Sequence, residues 1–75
     1  MKTFDDITRE IFKLPPTVEL RDDMSSKDIP EWDSMNYLFF ISELEKNFNV
    51  SFSMDQVMNA KCLGDLVKVC GTKLR

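Results

Sequence analysis

The run Asn36-Tyr37-Leu38-Phe39-Phe40-Ile41-Ser42-Glu43-Leu44-Glu45-Lys46-Asn47-Phe48 constrains the fold more than any other stretch of the sequence. Wound at about 100° per residue, it puts Tyr37, Leu38, Ile41, Leu44 and Phe48 on one side, the period of a half-buried helix. Met35, Phe39, Ser42, Glu43 and Lys46 fall on the other side. Asp33, just ahead of the run, suits the capping position: its carboxylate can accept from the unpaired N–H groups of the first turn, and its charge favours the positive end of the helix dipole. Ser34 is then expected at the tip of the longest helix, with its hydroxyl in water.

The rest of the chain supplies helices to pack against this one. Thr3-Phe4-Asp5-Asp6 has the form of a capping box, and Phe4, Ile7 and Ile11 repeat at helical spacing before Pro15-Pro16 forbids continuation. A first helix is predicted at about residues 3 to 13, its apolar side widened by Phe12 and Leu14, with Asp6, Arg9, Glu10 and Lys13 facing water. From Leu14 to Asp33 the periodicity lapses. A connection of that length is expected to be functional or pinned, and Leu20, Met24 and Ile29 are the residues to pin it; Ser25 to Asp28 can form a single helical turn. Asn49 to Ser53 reads as an extended connector with Val50 and Phe52 on one side. Ser53-Met54-Asp55-Gln56 is a second capping box, opening a brief helix to about Asn59 anchored by Val57 and Met58. In the last helix Leu63, Leu66, Val67 and Cys70 share a face, and Gly71 can end it in a left-handed conformation. The final four residues are expected to fray. The sum is an all-α small four-helix bundle, three main helices plus one short helix with a long first loop, forming a single domain over residues 1–75.

Composition narrows what such a bundle can do. A chain of 75 residues buries only about 60% of its unfolded surface, so a deep pocket walled by this chain alone is not expected. The formal charge is −3, and residues 1 to 33 hold nine acidic against five basic side chains. No basic stripe accompanies the aromatics, which disfavours nucleic acid and a helix-turn-helix role. Histidine is absent, which removes Ser-His and Cys-His relays and histidine-based metal sites, so neither a self-contained hydrolase nor a metal centre is expected. Cys62 and Cys70, about 12 Å apart if on one helix, lie beyond disulfide reach and read as small core residues of a reducing compartment. With no 18-residue apolar run and no apolar signal core at Met1 to Asp6, the chain is expected to be cytoplasmic, with no membrane partner. Beginning at Met1 and ending without a linker, it is expected to stand alone.

Taken by itself, Asp33-Ser34 is ordinary helix-start chemistry, and the chain could be a helical interaction module in which Ser34 is only a cap. An enzyme working through Ser34 with Asp33 or Glu31 is a remote option. The context is more pointed: Ser34 follows a long pinned loop and stands beside Met35 and Phe39, which the wheel sends outward one turn apart, as a contact patch would require.

At these residues the chain resembles the acyl carrier protein and peptidyl carrier family, whose signature Asp-Ser-Leu opens the second helix and reads Asp33-Ser34-Met35 here. The resemblance extends over Leu44-Glu45-Lys46-Asn47-Phe48 and Leu63-Gly64-Asp65-Leu66, nearly the whole layout. It implies a non-enzymatic carrier of acyl-carrier type. A phosphopantetheinyl transferase would move 4′-phosphopantetheine from coenzyme A to Ser34, next to Asp33. A ligase would load acyl or aminoacyl groups as thioesters, and a synthase or transferase would take them onward from a monomeric carrier. Met35, Phe39, Glu43 and Trp32 are the expected partner contacts. Phe39 and Lys46 stand where many fatty-acid carriers are acidic, and Trp32 stands where they have small residues, which points to a specialised pathway. Met54, Met58 and Phe52 could line an interior cavity for the acyl chain, although plain core packing is the preferred reading.

Overall fold

The computed structural model describes residues 2–72. The helices are α1 (Phe4–Ile11), α2 (Ser34–Phe48), α3 (Met54–Asn59) and α4 (Leu63–Cys70). α1 and α4 pack against α2, and the shared core is built from Phe4, Ile7, Phe12, Phe40, Ile41, Leu44, Leu63, Leu66, Val67 and Cys70, together with Met24 and Ile29 from the first loop.

α1 opens with the expected capping box: Asp6 N–H donates to Thr3 Oγ1 at 3.1 Å, and Thr3 N–H donates to Asp6 Oδ2 at 3.1 Å. It ends earlier than the apolar spacing predicts. Lys13 takes a left-handed φ of 55°, and Leu14 N–H returns to the Arg9 carbonyl at 2.9 Å, satisfying an end carbonyl before Pro15. Arg9, expected in water, is half-buried and donates through Nη1 to the Pro15 and Val18 carbonyls, both at 2.8 Å, so it ties the loop to the helix.

The wheel of α2 turns out rotated relative to the sequence reading. Phe40 is fully buried, whereas Leu38, placed on the inner side above, is 62% exposed. The aromatic rings of α1 explain the shift. Phe40 packs edge-on to Phe4, with centroids 5.5 Å apart, and tilts against Phe12 at 4.9 Å, so the buried arc moves toward α1 and carries Leu38 out.

The first loop is pinned as expected. Met24 and Ile29 are buried and Leu20 is half-buried; Asp28 N–H and Ile29 N–H both return to the Ser25 carbonyl, closing one helical turn. The loop also caps α4. Cys62, at the cap position, makes no side-chain cap bond; Leu63 N–H donates instead to the Met24 carbonyl at 2.9 Å, and Gly64 N–H to the Asp22 carbonyl at 2.8 Å. Glycine suits that approach: a Cβ on Gly64 would lie 3.1 Å from the Asp22 oxygen, and the loop would have to give by a few tenths of an ångström to admit it.

Asp65 secures the same junction, accepting from Lys61 N–H at 2.9 Å. This bond is the main reason that its carboxyl is held below the ordinary aspartate value, with Cys62 and Lys68 adding to it. A group whose folded value is depressed contributes stability above its unfolded value, and that contribution disappears as pH falls through the folded one. Asp65→Asn is therefore expected to be slightly less stable than the parent at neutral pH. In urea titrations the gap should close as pH drops below about 4; a gap that persists at low pH would contradict this account.

α3 carries the second capping box, with Gln56 N–H donating to Ser53 Oγ at 3.1 Å and Ser53 N–H to Gln56 Oε1 at 2.8 Å. None of its residues is buried. Val57 is half-buried as an anchor, but Met58, assigned the same task above, is 75% exposed. Met54 is exposed as well, so neither methionine lines an interior cavity or packs into the core; the two stand one turn apart on a side of α3 that faces water. Gly71 ends α4 at a φ of 67°. Cys62 and Cys70 are free thiols, and burial pushes the Cys70 thiol up to about 11. Of the segment expected to fray, residues 73–75 lie outside the described residues.

Candidate functional site

Ser34 is the first residue of α2 and is exposed. Its position is fixed by the groups around it. Asp33, in extended conformation, accepts Asn36 N–H at 2.8 Å through Oδ1, and its own carbonyl takes Tyr37 N–H at 2.8 Å. Asn36 Nδ2 donates to the Glu31 carbonyl at 2.9 Å, holding the end of the loop against the helix. The backbone N–H groups of Ser34 and Met35 have no acceptor among the described residues. Two free donors and the positive end of a helix dipole thus meet at the serine hydroxyl, a setting that favours a phosphate ester.

Trp32 lies between two rings, stacked on Phe12 with centroids 5.2 Å apart and on Tyr37 at 5.6 Å. It is half-buried and braces the turn before Ser34. Tyr37 continues the brace by donating its hydroxyl to the Val57 carbonyl at 2.7 Å. Loss of hydration on burial is the main reason that the phenol is pushed above its ordinary value, with Asp65 adding to it, so Tyr37 stays a neutral donor. Beside Ser34 this strut leaves a groove of about 320 Å³ between Trp32, Tyr37 and Leu38 on one side and Val57, Met58 and Ala60 on the other.

The expected partner contacts separate into two groups. Met35 and Phe39 stand outward at 68% and 56% exposure, close in sequence to Ser34. Glu43 is half-buried, bordering a small hollow with Lys2, Ile7, Glu10 and Ile11 and accepting from Asn47 Nδ2, so it looks toward α1. Glu45 is also occupied, accepting Phe52 N–H at 2.8 Å. The sequence reading missed Tyr37 as a strut and Leu38 as a groove wall. The one signal for the second was Phe40, whose bulk competes with Leu38 for the inner side.

No group of three or more acidic, cysteine or histidine residues among those described could hold a metal ion, and no helix among them is long and apolar enough to cross a membrane.

The family model described as phosphopantetheine attachment site matches residues 6–70. The solution NMR structure of a holo acyl carrier protein from Geobacter metallireducens matches with a TM-score of 0.81 and 26% sequence identity, over 91% of this chain and 77% of that one. No curated protein matches the sequence. The residues present suit the prosthetic group: an exposed hydroxyl, two free N–H donors for phosphate oxygens and an adjoining groove with apolar walls. The chain belongs to the phosphopantetheine attachment site family, as a carrier protein of acyl-carrier type that holds 4′-phosphopantetheine and is modified by other enzymes.

Proposed function

We propose that Ser34 is the attachment residue, and that the chain, acting as one carrier domain and a cytoplasmic monomer, conveys acyl or aminoacyl cargo between a loading ligase and a downstream synthase or transferase. The specialised character of α2, with Phe39 and Lys46 on its outer side, favours assembly of a polyketide, a peptide or a modified sugar as the pathway. The observation that carries this reading is the exposed hydroxyl of Ser34 beside two unpaired backbone donors at the mouth of α2. Asp33 keeps the first turn formed and Ser34 aimed outward. The chain has no histidine to take the serine proton, so the base must come from the transferase. When bound, phosphopantetheine supplies the thiol on which cargo rides as a thioester. Cys70 is unsuited to that part, being buried with its thiol held protonated.

The test is incubation with coenzyme A and a broad-specificity phosphopantetheinyl transferase, followed by intact mass and peptide mapping. A gain of one phosphopantetheine on the peptide containing Ser34 is expected; an adduct on another residue, or none, would refute the assignment.

Docking on partners should lean on Met35 and Phe39, with Trp32 acting through the loop it braces. Phe39→Glu is expected to lower turnover with the cognate partner by about tenfold, the loss of a contact worth about 1.4 kcal/mol. Glu43→Ala, which removes a carboxylate turned toward α1, should change turnover by less than about twofold. Steady-state rates at matched carrier concentration decide the order, and a larger effect at Glu43 would contradict it.

A further inference from the structure

Next to the groove that holds Ser34 lies a second hollow of about 430 Å³, lined by Ser25, Ser26, Lys27, Trp32, Ala60 and Lys61. The two share Trp32 and Ala60 as a common wall. In a chain of net charge −3, whose first 33 residues are mainly acidic, this hollow is walled by two cations and no anion. Lys27 and Lys61 are exposed, and neither makes an ion pair among the described residues. Their backbones are held in place. Lys27 N–H donates to Ser25 Oγ at 3.3 Å within the turn that the Ser25 carbonyl closes, and Lys61 N–H donates to Asp65 Oδ2 at 2.9 Å. The carboxylates nearby have other tasks: Asp28 accepts Ser25 N–H at 3.2 Å, Asp65 accepts Lys61 N–H, and Asp33, exposed next to Ser34, caps α2. None of these, nor half-buried Glu31, lines the hollow.

We propose that this hollow receives the far end of the cargo, and that the cargo is an acyl group ending in a carboxylate, held by Lys27 and Lys61 with the Ser26 hydroxyl as a further donor. The inference rests on Ser34 being the attachment residue. A pantetheine chain has the length of roughly four to five residues, about 15 Å when extended, on a domain whose shortest dimension is 20 Å. An arm rooted at Ser34 can therefore cross Trp32 and Ala60 into the adjoining hollow. Its phosphate, bonded to the serine oxygen, stays with the free N–H groups of the first turn, which leaves the two lysines for a second anion. An exposed ammonium–carboxylate pair is weak between free molecules, but a tethered partner is present at an effective concentration of about millimolar, which raises its occupancy. A neutral alkyl end gains nothing from two ammoniums and a hydroxyl and would strip them of water.

The test compares carriers prepared with succinyl-coenzyme A, butyryl-coenzyme A and free coenzyme A. Succinyl and butyryl groups are equally long, and only the first ends in a carboxylate. The amide NMR shifts of Ser26, Lys27, Ala60 and Lys61 should move with the succinyl arm and stay at their unacylated positions with the butyryl arm. That difference should shrink by more than about half between roughly 50 and 500 mM salt. It should vanish in the double variant Lys27→Gln, Lys61→Gln and persist in Lys46→Gln, whose side chain lines neither hollow, with unchanged circular dichroism because all three lysines are exposed. Equal shifts with succinyl and butyryl arms, or a succinyl effect that survives loss of both lysines, would overturn the site. So would shifts at Lys27 and Lys61 already present with the unacylated arm, which would assign the lysines to its phosphate. Intact mass and peptide mapping read the attachment point separately. An arm found elsewhere than on Ser34 would refute the attachment reading and this site with it, whereas a Ser34 adduct without the succinyl shifts would overturn the site alone.

Discussion

Phe40→Ala should lower the stability of the fold by about 3–5 kcal/mol, the usual cost of removing a fully buried phenylalanine. Phe40 is completely enclosed and touches both Phe4 and Phe12, so the cavity would open where α1, α2 and the start of the first loop meet. A domain of this length has only about 4–11 kcal/mol to lose, by the general scale of stability per residue. The variant should accordingly unfold at a urea concentration lower by about 2–4 M, followed through the fluorescence of Trp32, which stacks on the same Phe12. Phe39→Ala, one position away and facing water, should stay within about 0.5 kcal/mol of the parent. Equal losses at the two positions would mean that the rotation of α2 described above is wrong.

Ser34→Ala should have the opposite profile, with no loading and almost no loss of stability. The serine side chain makes no hydrogen bond among the described residues, and the cap of α2 is provided by Asp33. Alanine at the first helical position should therefore alter stability by less than about 0.5 kcal/mol while deleting the acceptor atom altogether. Asp33→Ala complements it: loss of the cap should cost about 1 kcal/mol and slow loading by disordering the turn, without preventing it. Intact mass after transferase treatment, paired with urea titration, separates the two. Any phosphopantetheine gained by Ser34→Ala would show that the acceptor lies elsewhere, and complete inertness of Asp33→Ala would make the aspartate more than a cap.

Local rules made most of the fold legible. Both capping boxes, the left-handed Gly71 and the inward turn of Met24 and Ile29 depend on neighbours within a few residues or on a simple need to bury apolar groups. The helix start that forms the candidate site was legible for the same reason, since Asp33 caps α2 and Ser34 opens it whatever surrounds them. The rotation of α2 was not, because it is set by Phe4 and Phe12, which lie far away in sequence and claim Phe40 over Leu38. Lys13 hid its left-handed turn, a conformation that glycine usually signals. The Tyr37 strut to Val57 was equally invisible, since a tyrosine on an apolar helix face gives no hint of which carbonyl it will reach.

α3 buries none of its own residues and leans on α2 through one phenol bond and the partial cover of Val57 and Ala60. Such a segment opens at a small fraction of the energy needed to unfold the whole molecule. One wall beside the serine is consequently a loosely latched shutter facing a rigid jamb, and its amides should trade protons for deuterons well before those at the centre of α2. The entrance can widen for each visitor without disturbing the packed interior.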